Sequence, residues 1–207
     1  MANKKPDNQS EMAILTAARK VFTQKGYAAA RMDDIAKEAG INRALLHYYF
    51  RSKERMFDII FEQRMAEFFS GLAQIIFSDQ SITDKIRSIV EHDIDMVIAQ
   101  PDLPIFIMQE LTQNPQRLLN SAQGAGAKPG IMLKALNTGI KEAVAAREIR
   151  PVEASQLLIN TMSLAIYPFI AKPMIKAMQD LDDAGFERMM KKRKKEVADF
   201  IINALKP

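Results

Sequence analysis

Apolar residues recur at three- and four-residue intervals along almost the whole chain, and no stretch alternates in the two-residue period of a half-buried strand. That pattern confines the chain to an all-helical fold. Residues 11–25 place Ile14, Leu15, Ala18, Val21 and Phe22 on one face, and Gly26 follows as a helix stop. Residues 32–39 give a short helix with Ile35 and Ala36 inward, ended by Gly40. Asn42 is a good N-cap for a third short helix reaching Tyr49. Ser52 caps a fourth, long helix running to about residue 77, with Glu54 in its first turn where negative charge is favoured.

Further helices are predicted over residues 82–99, 103–113, 115–122, 131–147, 153–179 and 186–205. Between them stand Pro101, Pro104, Asn114-Pro115, residues 124–130, Pro151 and residues 182–185, the usual punctuation of turns. The breaks are short, so neighbouring helices pack antiparallel. Pro168 and Pro173 each remove a helical hydrogen bond, which predicts a kink or break near residues 167–173.

With 207 residues, 48% of them hydrophobic, the chain has enough apolar surface for a substantial core. There is no cysteine, which excludes a disulfide framework and any thiolate metal site and fits a cytoplasmic location. Residues 1–10 are polar and do not read as a signal peptide. The most apolar stretch, residues 157–174, contains Asn160, Thr161, Ser163, Lys172 and two prolines. A membrane span needs about 20 mostly apolar residues, so this reads as a helix buried in protein.

The charge is uneven. Residues 1–60 hold 11 Lys/Arg against 7 Asp/Glu, and this accounts for the whole net charge of +4. Clustered positive charge is the footprint of a phosphate-binding module. The two short helices joined by Gly40-Ile41-Asn42 form a helix-turn-helix, whose second helix enters the major groove by its N-terminal residues. Ile35, Ala36, Ala39, Ile41, Leu46 and Phe50 are its apolar glue. Asn42, Arg43, Ala44, Leu45, His47 and Tyr48 are left outward; Arg43 suits a guanine edge, and Leu45 a thymine methyl. His47, Tyr48, Tyr49 and Lys53 supply donors of the kind that hold phosphates.

Residues 11–57 resemble the DNA-binding domain of the TetR family of repressors. The resemblance rests on Ile14, Ala18, Phe22, Gly26-Tyr27, Asp34-Ile35-Ala36, Ala39-Gly40-Ile41, Leu46, Tyr49-Phe50, Ser52-Lys53-Glu54 and Phe57. Four positions depart from the family pattern. Ala30 and Arg31 stand where a Thr or Ser pair often opens the second helix, Ala44 stands for a common Gly, and His47 stands for a usual Tyr. Arg31 offers a phosphate a charge where the family offers a hydroxyl.

The resemblance implies an all-α chain of about nine helices. A DNA-binding domain over residues 1–53 is followed by a helical ligand-binding and dimerisation domain over residues 54–207. It implies a homodimer on a double-stranded palindromic operator, released by a small-molecule effector. Met65, Phe68, Phe69, Met96, Phe106, Met132, Met162, Ile166 and Tyr167 are candidates to line an effector pocket, and the same residues equally suit a plain core. By the same analogy the last two helices make the dimer, with Met190, Val197, Phe200, Ile201, Ala204 and Leu205 as the apolar stripe of the last. The basic run at residues 191–195 reads as a solvated helix face.

Other classes find little footing. Residues 124–130 are glycine-rich, but no strand precedes them, Pro129 interrupts them, and no Ser or Thr follows Lys128, so this is not a phosphate-binding loop. An enzyme would have to work with two histidines, His47 and His92, and no recognisable catalytic motif; the carboxylates Glu91, Asp93 and Asp95 read as a solvated cluster. No cofactor or metal site is expected. The remaining alternative is an architectural DNA-binding protein without an effector, which would bind duplexes with little sequence preference.

Overall fold

The computed structural model describes residues 8–101, 103–113, 115, 116, 120, 123 and 128–207, the side chains at 8, 106, 109, 110 and 113 excepted. These residues contain ten helices: α1 (Asn8–Ala29), α2 (Met32–Glu38), α3 (Arg43–Tyr49), α4 (Lys53–Ile76), α5 (Ile82–Ala99), α6 (Leu103–Gln113), α7 (Pro129–Ala145), α8 (Ala154–Ile170), α9 (Lys172–Gln179) and α10 (Asp183–Ala204). No strand occurs among the described residues. Most of the helix predicted over residues 115–122 lies outside them. The chain packs as two compact units, one up to Arg64 and one from Met65 onward, with α4 contributing residues to both.

In the first unit α1 packs on α2, and α2 on α3. Ile14, Ala18, Val21 and Phe22 of α1 are buried with Ile35, Ala36, Leu46, Phe50 and Phe57, each large apolar side chain contributing about 1.5–3 kcal/mol. The rings of Phe22 and Phe57 meet edge to face at 5.7 Å, and Tyr27 lies 4.6 Å from Phe57. Gly26 interrupts α1 with φ 73 and ψ 159, a conformation that strains any residue with a Cβ. Gly40, at φ 66, closes the turn after α2.

In the second unit α5 is the central helix. It packs most extensively on α10 and α8, and also on α7, while α8 touches α6, α7 and α9. Its buried face is Ile82, Ile86, Ile89, Val90, Asp93, Ile94 and Val97. The solvated reading of Asp93 is therefore overturned: at 1% exposure it sits in line with that apolar stripe, and neither carboxyl oxygen has a hydrogen-bond partner among the described residues. Burial pushes its pKa up to about 7.

Several helix boundaries also differ, three of them for reasons visible in the structure. The helix predicted over 153–179 is two, bent by 69° at Ala171, close to the two prolines that predicted a break. Residues 129 and 130 extend α7 backward, with Pro129 in its first turn, where a missing N–H costs nothing. The last helix begins at Asp183, because the Asp182 carboxylate accepts the Gly185 N–H at 2.6 Å and caps it early. No single helix among the described residues is long and apolar enough to cross a membrane; α8 and α9 reach that composition only as a bent pair.

Candidate nucleic-acid interface

The turn between α2 and α3 is built by local hydrogen bonds. The Ile41 N–H donates to the Ala36 carbonyl at 3.0 Å, and the Leu45 N–H donates to the Asn42 side-chain oxygen at 2.8 Å. Asn42 thus caps α3 while its own side chain stays at the surface. A seven-residue helix with Leu46 buried and Phe50 buried just beyond its end has one face to the core and the rest outward. The outward set is Asn42, Arg43, Ala44, Leu45, His47 and Tyr48, all exposed. Tyr49 is half-buried, its ring 5.5 Å from that of Tyr48.

Arg43 does not stand alone. Its Nη1 lies 3.3 Å from the Asp33 carboxylate on α2, and its Nε donates to His47 Nε2 at 3.5 Å. Asp33 had no role in the sequence reading. A ten-residue separation across a helix-turn-helix is the only signal that would have paired it with Arg43.

Arg31 is exposed and opens α2 without a side-chain cap. The capping function passes to Asp34, whose carboxylate accepts the Arg31 N–H at 3.1 Å and pairs with Lys25 at 2.7 Å. The Lys25 hydrogen bond, followed by the Arg31 N–H, holds the Asp34 carboxyl below the usual carboxylate range.

The Lys53 ammonium is turned back on its own unit. It donates to the carbonyls of Tyr27 at 2.8 Å, Ala30 at 3.0 Å and Ala28 at 3.4 Å, and lies 4.5 Å from the centre of the Tyr27 ring. These are carbonyls at the end of α1, where a positive charge is favoured.

Most of the effector-pocket candidates whose side chains are described belong to the core of the second unit. Met65, Phe68 and Met132 are buried, and Phe69, Met96, Met162 and Ile166 are half-buried against the same cluster. Tyr167 is 58% exposed on the opposite side of α8 from buried Ala165 and Pro168. The Phe106 side chain lies outside the described residues. Among the described residues of this unit, a cleft of about 480 Å³ opens between residues 78–85 and 136–148, and another of about 260 Å³ beside Val97, Phe169, Lys172 and Phe186. None of the eight candidates whose side chains are described lines either cleft.

The dimer stripe requires a correction. Met190, Val197, Ile201 and Leu205 are buried within the chain's own core, because that face of α10 packs on α5 and α8. Only Phe200, at 65% exposure, and Ala204 are left outward among the six. The basic run of α10 is likewise engaged. Lys191 pairs with Glu187 and Lys192 with Glu196, Lys194 pairs with Asp95 of α5, and Arg193 donates to the Leu164 carbonyl of α8. The solvated reading holds for Lys191 and Lys192 but not for Arg193 and Lys194, which are half-buried.

Comparison with known proteins fits this geometry. Residues 14–60 match the family model for bacterial regulatory proteins of the tetR family, which covers α1 to the first part of α4. Over 95 residues the chain is 30% identical to the helix-turn-helix transcriptional activator FasR of Mycolicibacterium smegmatis; the match spans 46% of this chain and 43% of the activator. It is 25% identical over 165 residues to the fatty acid metabolism regulator protein of Bacillus subtilis, spanning 77% of this chain and 82% of that one. The fold is shared with the ketosteroid transcriptional regulator KstR2 of Mycobacterium tuberculosis, at a TM-score of 0.70 and 13% identity over 97% of both chains. The three-helix head with its capped, outward-facing α3 and the match across it make residues 14–60 a DNA-binding domain of the tetR family of bacterial regulatory proteins.

Proposed function

We propose that the protein is a ligand-responsive repressor that binds a palindromic operator as a homodimer and leaves it when a small molecule binds. The observation that carries the reading is α3: Arg43, Ala44, Leu45, His47 and Tyr48 are exposed around buried Leu46, so a polar face is turned to solvent where a duplex can reach it. Residues 1–53 form the DNA-binding domain in this account and residues 54–207 the effector and dimer domain, acting in the cytoplasm. Arg43 reads a guanine, Leu45 touches a thymine methyl, and Arg31, Asn42, Ala44, His47, Tyr48 and Tyr49 meet the adjoining base edges and phosphates. Lys53 acts from behind, by holding the end of α1.

For the effector we propose an apolar or amphipathic molecule taken up among Phe68, Met96, Met132 and Met162. Methionine adapts to irregular apolar ligands, and similarity to a fatty acid metabolism regulator over most of the chain supports that chemistry. Helix α4 carries Lys53 near its start and Met65 and Phe68 further on, so a shift of α4 is the proposed route from effector to DNA. Phe200 is the proposed centre of the dimer contact on α10.

The test is to select duplexes from a random pool with the purified protein, then titrate the selected complex with a panel of amphipathic compounds. The account expects one palindrome and at least one compound that weakens binding by roughly 5–150-fold. By reciprocity the operator must weaken that compound equally. Selection of no common sequence overturns the regulator reading, and equal compound affinity with and without operator overturns the coupling.

A further inference from the structure

We propose that Asp33 is a positioning residue for base reading: together with His47 it holds the Arg43 guanidinium so that its terminal edge is the one offered to a base, and this sets a guanine preference at one operator position. The inference rests on the proposed function, and it concerns how selectivity arises there.

A guanidinium has one N–H on Nε and two on each Nη. In this structure the Arg43 Nε–H is directed to His47 Nε2 at 3.5 Å, and Nη1 lies 3.3 Å from both oxygens of Asp33. What remains unengaged by these partners is the outer edge: both N–H of Nη2 and the second N–H of Nη1. Two N–H groups side by side match two acceptors side by side. In the major groove guanine supplies that pair, O6 and N7, whereas adenine sets a donor beside its acceptor. Holding the guanidinium by its inner edge therefore selects guanine.

The carboxylate does a second thing. An arginine with no partner is drawn equally to phosphates, and such contacts carry no sequence information. A negative charge 3.3 Å from Nη1 weakens the pull of the backbone on Arg43 and leaves the base edge as the better partner. The Arg43 and Asp33 side chains are 63% and 64% exposed, so the pair contributes little to folding, and removing it leaves the head intact. Asp33 also stands in the first turn of α2, where any carboxylate favours the helix. For that reason Asp33→Glu, which keeps the first-turn carboxylate, is tested beside Asp33→Ala and Asp33→Asn.

The experiment measures, for the full-length protein, the affinity of a selected duplex and of its single-base variants, with circular dichroism melts of every protein variant. Arg43→Ala identifies the position it reads by a loss of roughly 5–150-fold in guanine preference there. Asp33→Ala and Asp33→Asn are expected to lose about 2–5-fold of that preference at the same position only, with melting unchanged. Asp33→Glu, which keeps a carboxylate, restores part of it. Adding Asp33→Ala to Arg43→Ala costs nothing further, because the carboxylate acts only through the arginine. The inference is overturned if both Asp33 variants leave the preference intact, lower it at every position alike, or lower it additively with Arg43→Ala. A wild-type protein with no preferred duplex overturns the regulator reading itself, and this inference with it.

Discussion

Arg193 donates to the carbonyl oxygen of Leu164 through Nε at 3.2 Å and Nη2 at 3.1 Å. Leu164 stands four residues before Pro168, inside α8, so its carbonyl is the one that proline leaves without a helical N–H. The guanidinium of α10 thereby completes the hydrogen bonding of α8. Arg193→Ala should destabilise the second unit by about 1–3 kcal/mol, since a half-buried carbonyl loses two charge-assisted bonds. Pro168→Ala in the same background restores an N–H and should recover most of the loss. Urea unfolding of the two variants and the double variant measures the coupling.

Asp93 makes stability depend on pH. Its carboxyl is raised from 3.8 to about 7 by burial, so it stays protonated in the folded chain while the unfolded chain has already ionised. The contribution of Asp93 therefore favours the folded state most below about pH 4, declines as pH rises toward 7, and carries its full penalty above that, on the order of 4 kcal/mol. Asp93→Asn should flatten the profile between pH 4 and pH 7 and stabilise the protein at pH 8. An unchanged slope in denaturation curves across that range would contradict the assignment.

Gly71 is required by its neighbour. A Cβ at this position would stand 2.3 Å from Cε1 of His92, whose Nε2 lies 3.3 Å from the Phe68 carbonyl. Alanine normally favours a helix over glycine by about 1 kcal/mol, but this clash outweighs it, at about 1–3 kcal/mol. Gly71→Ala alone should lower the melting temperature. In a His92→Ala background the same change should raise it, and that reversal of sign in paired thermal melts is the check.

Neighbouring residues on α10 should behave oppositely. Ile201 is 5% exposed and Phe200 65% exposed, one residue apart. Ile201→Asp buries a charge and should unfold the second unit. Phe200→Asp should leave helicity intact and shift the mass measured by light scattering from a dimer toward the 23.4 kDa of one chain. Dissociation without unfolding by Ile201→Asp would reverse the assignment of the two faces.

The elements legible in the sequence were those governed by neighbours a few residues away. Helix α5 was read to the residue because Ser81 caps it and its apolar residues keep one face. The outward set on α3 was read correctly because Leu46 and Phe50 alone decide which way seven residues turn. What escaped depended on distant partners. The stripe of Met190, Val197 and Ile201 announced a buried face, but the pattern does not say whether α5 or a second subunit buries it. Asp93 lies in register with Ile86, Ile89 and Val97, and its chemistry argued against its position. Lys53 meets Tyr27 and Ala30 only after α1 folds back, and Arg193 meets Leu164 across 29 residues.

The most direct test of the account is the affinity of the wild-type protein for the selected palindrome against the same duplex with one half-site scrambled, measured by fluorescence anisotropy at fixed salt. Two reading heads acting together predict that losing one half-site costs at least about 100-fold, a large part of the roughly 10³–10⁷-fold that separates specific from non-specific binding. Arg43→Ala should close much of that gap. Equal affinity for the two duplexes would contradict a dimeric reader of a palindrome.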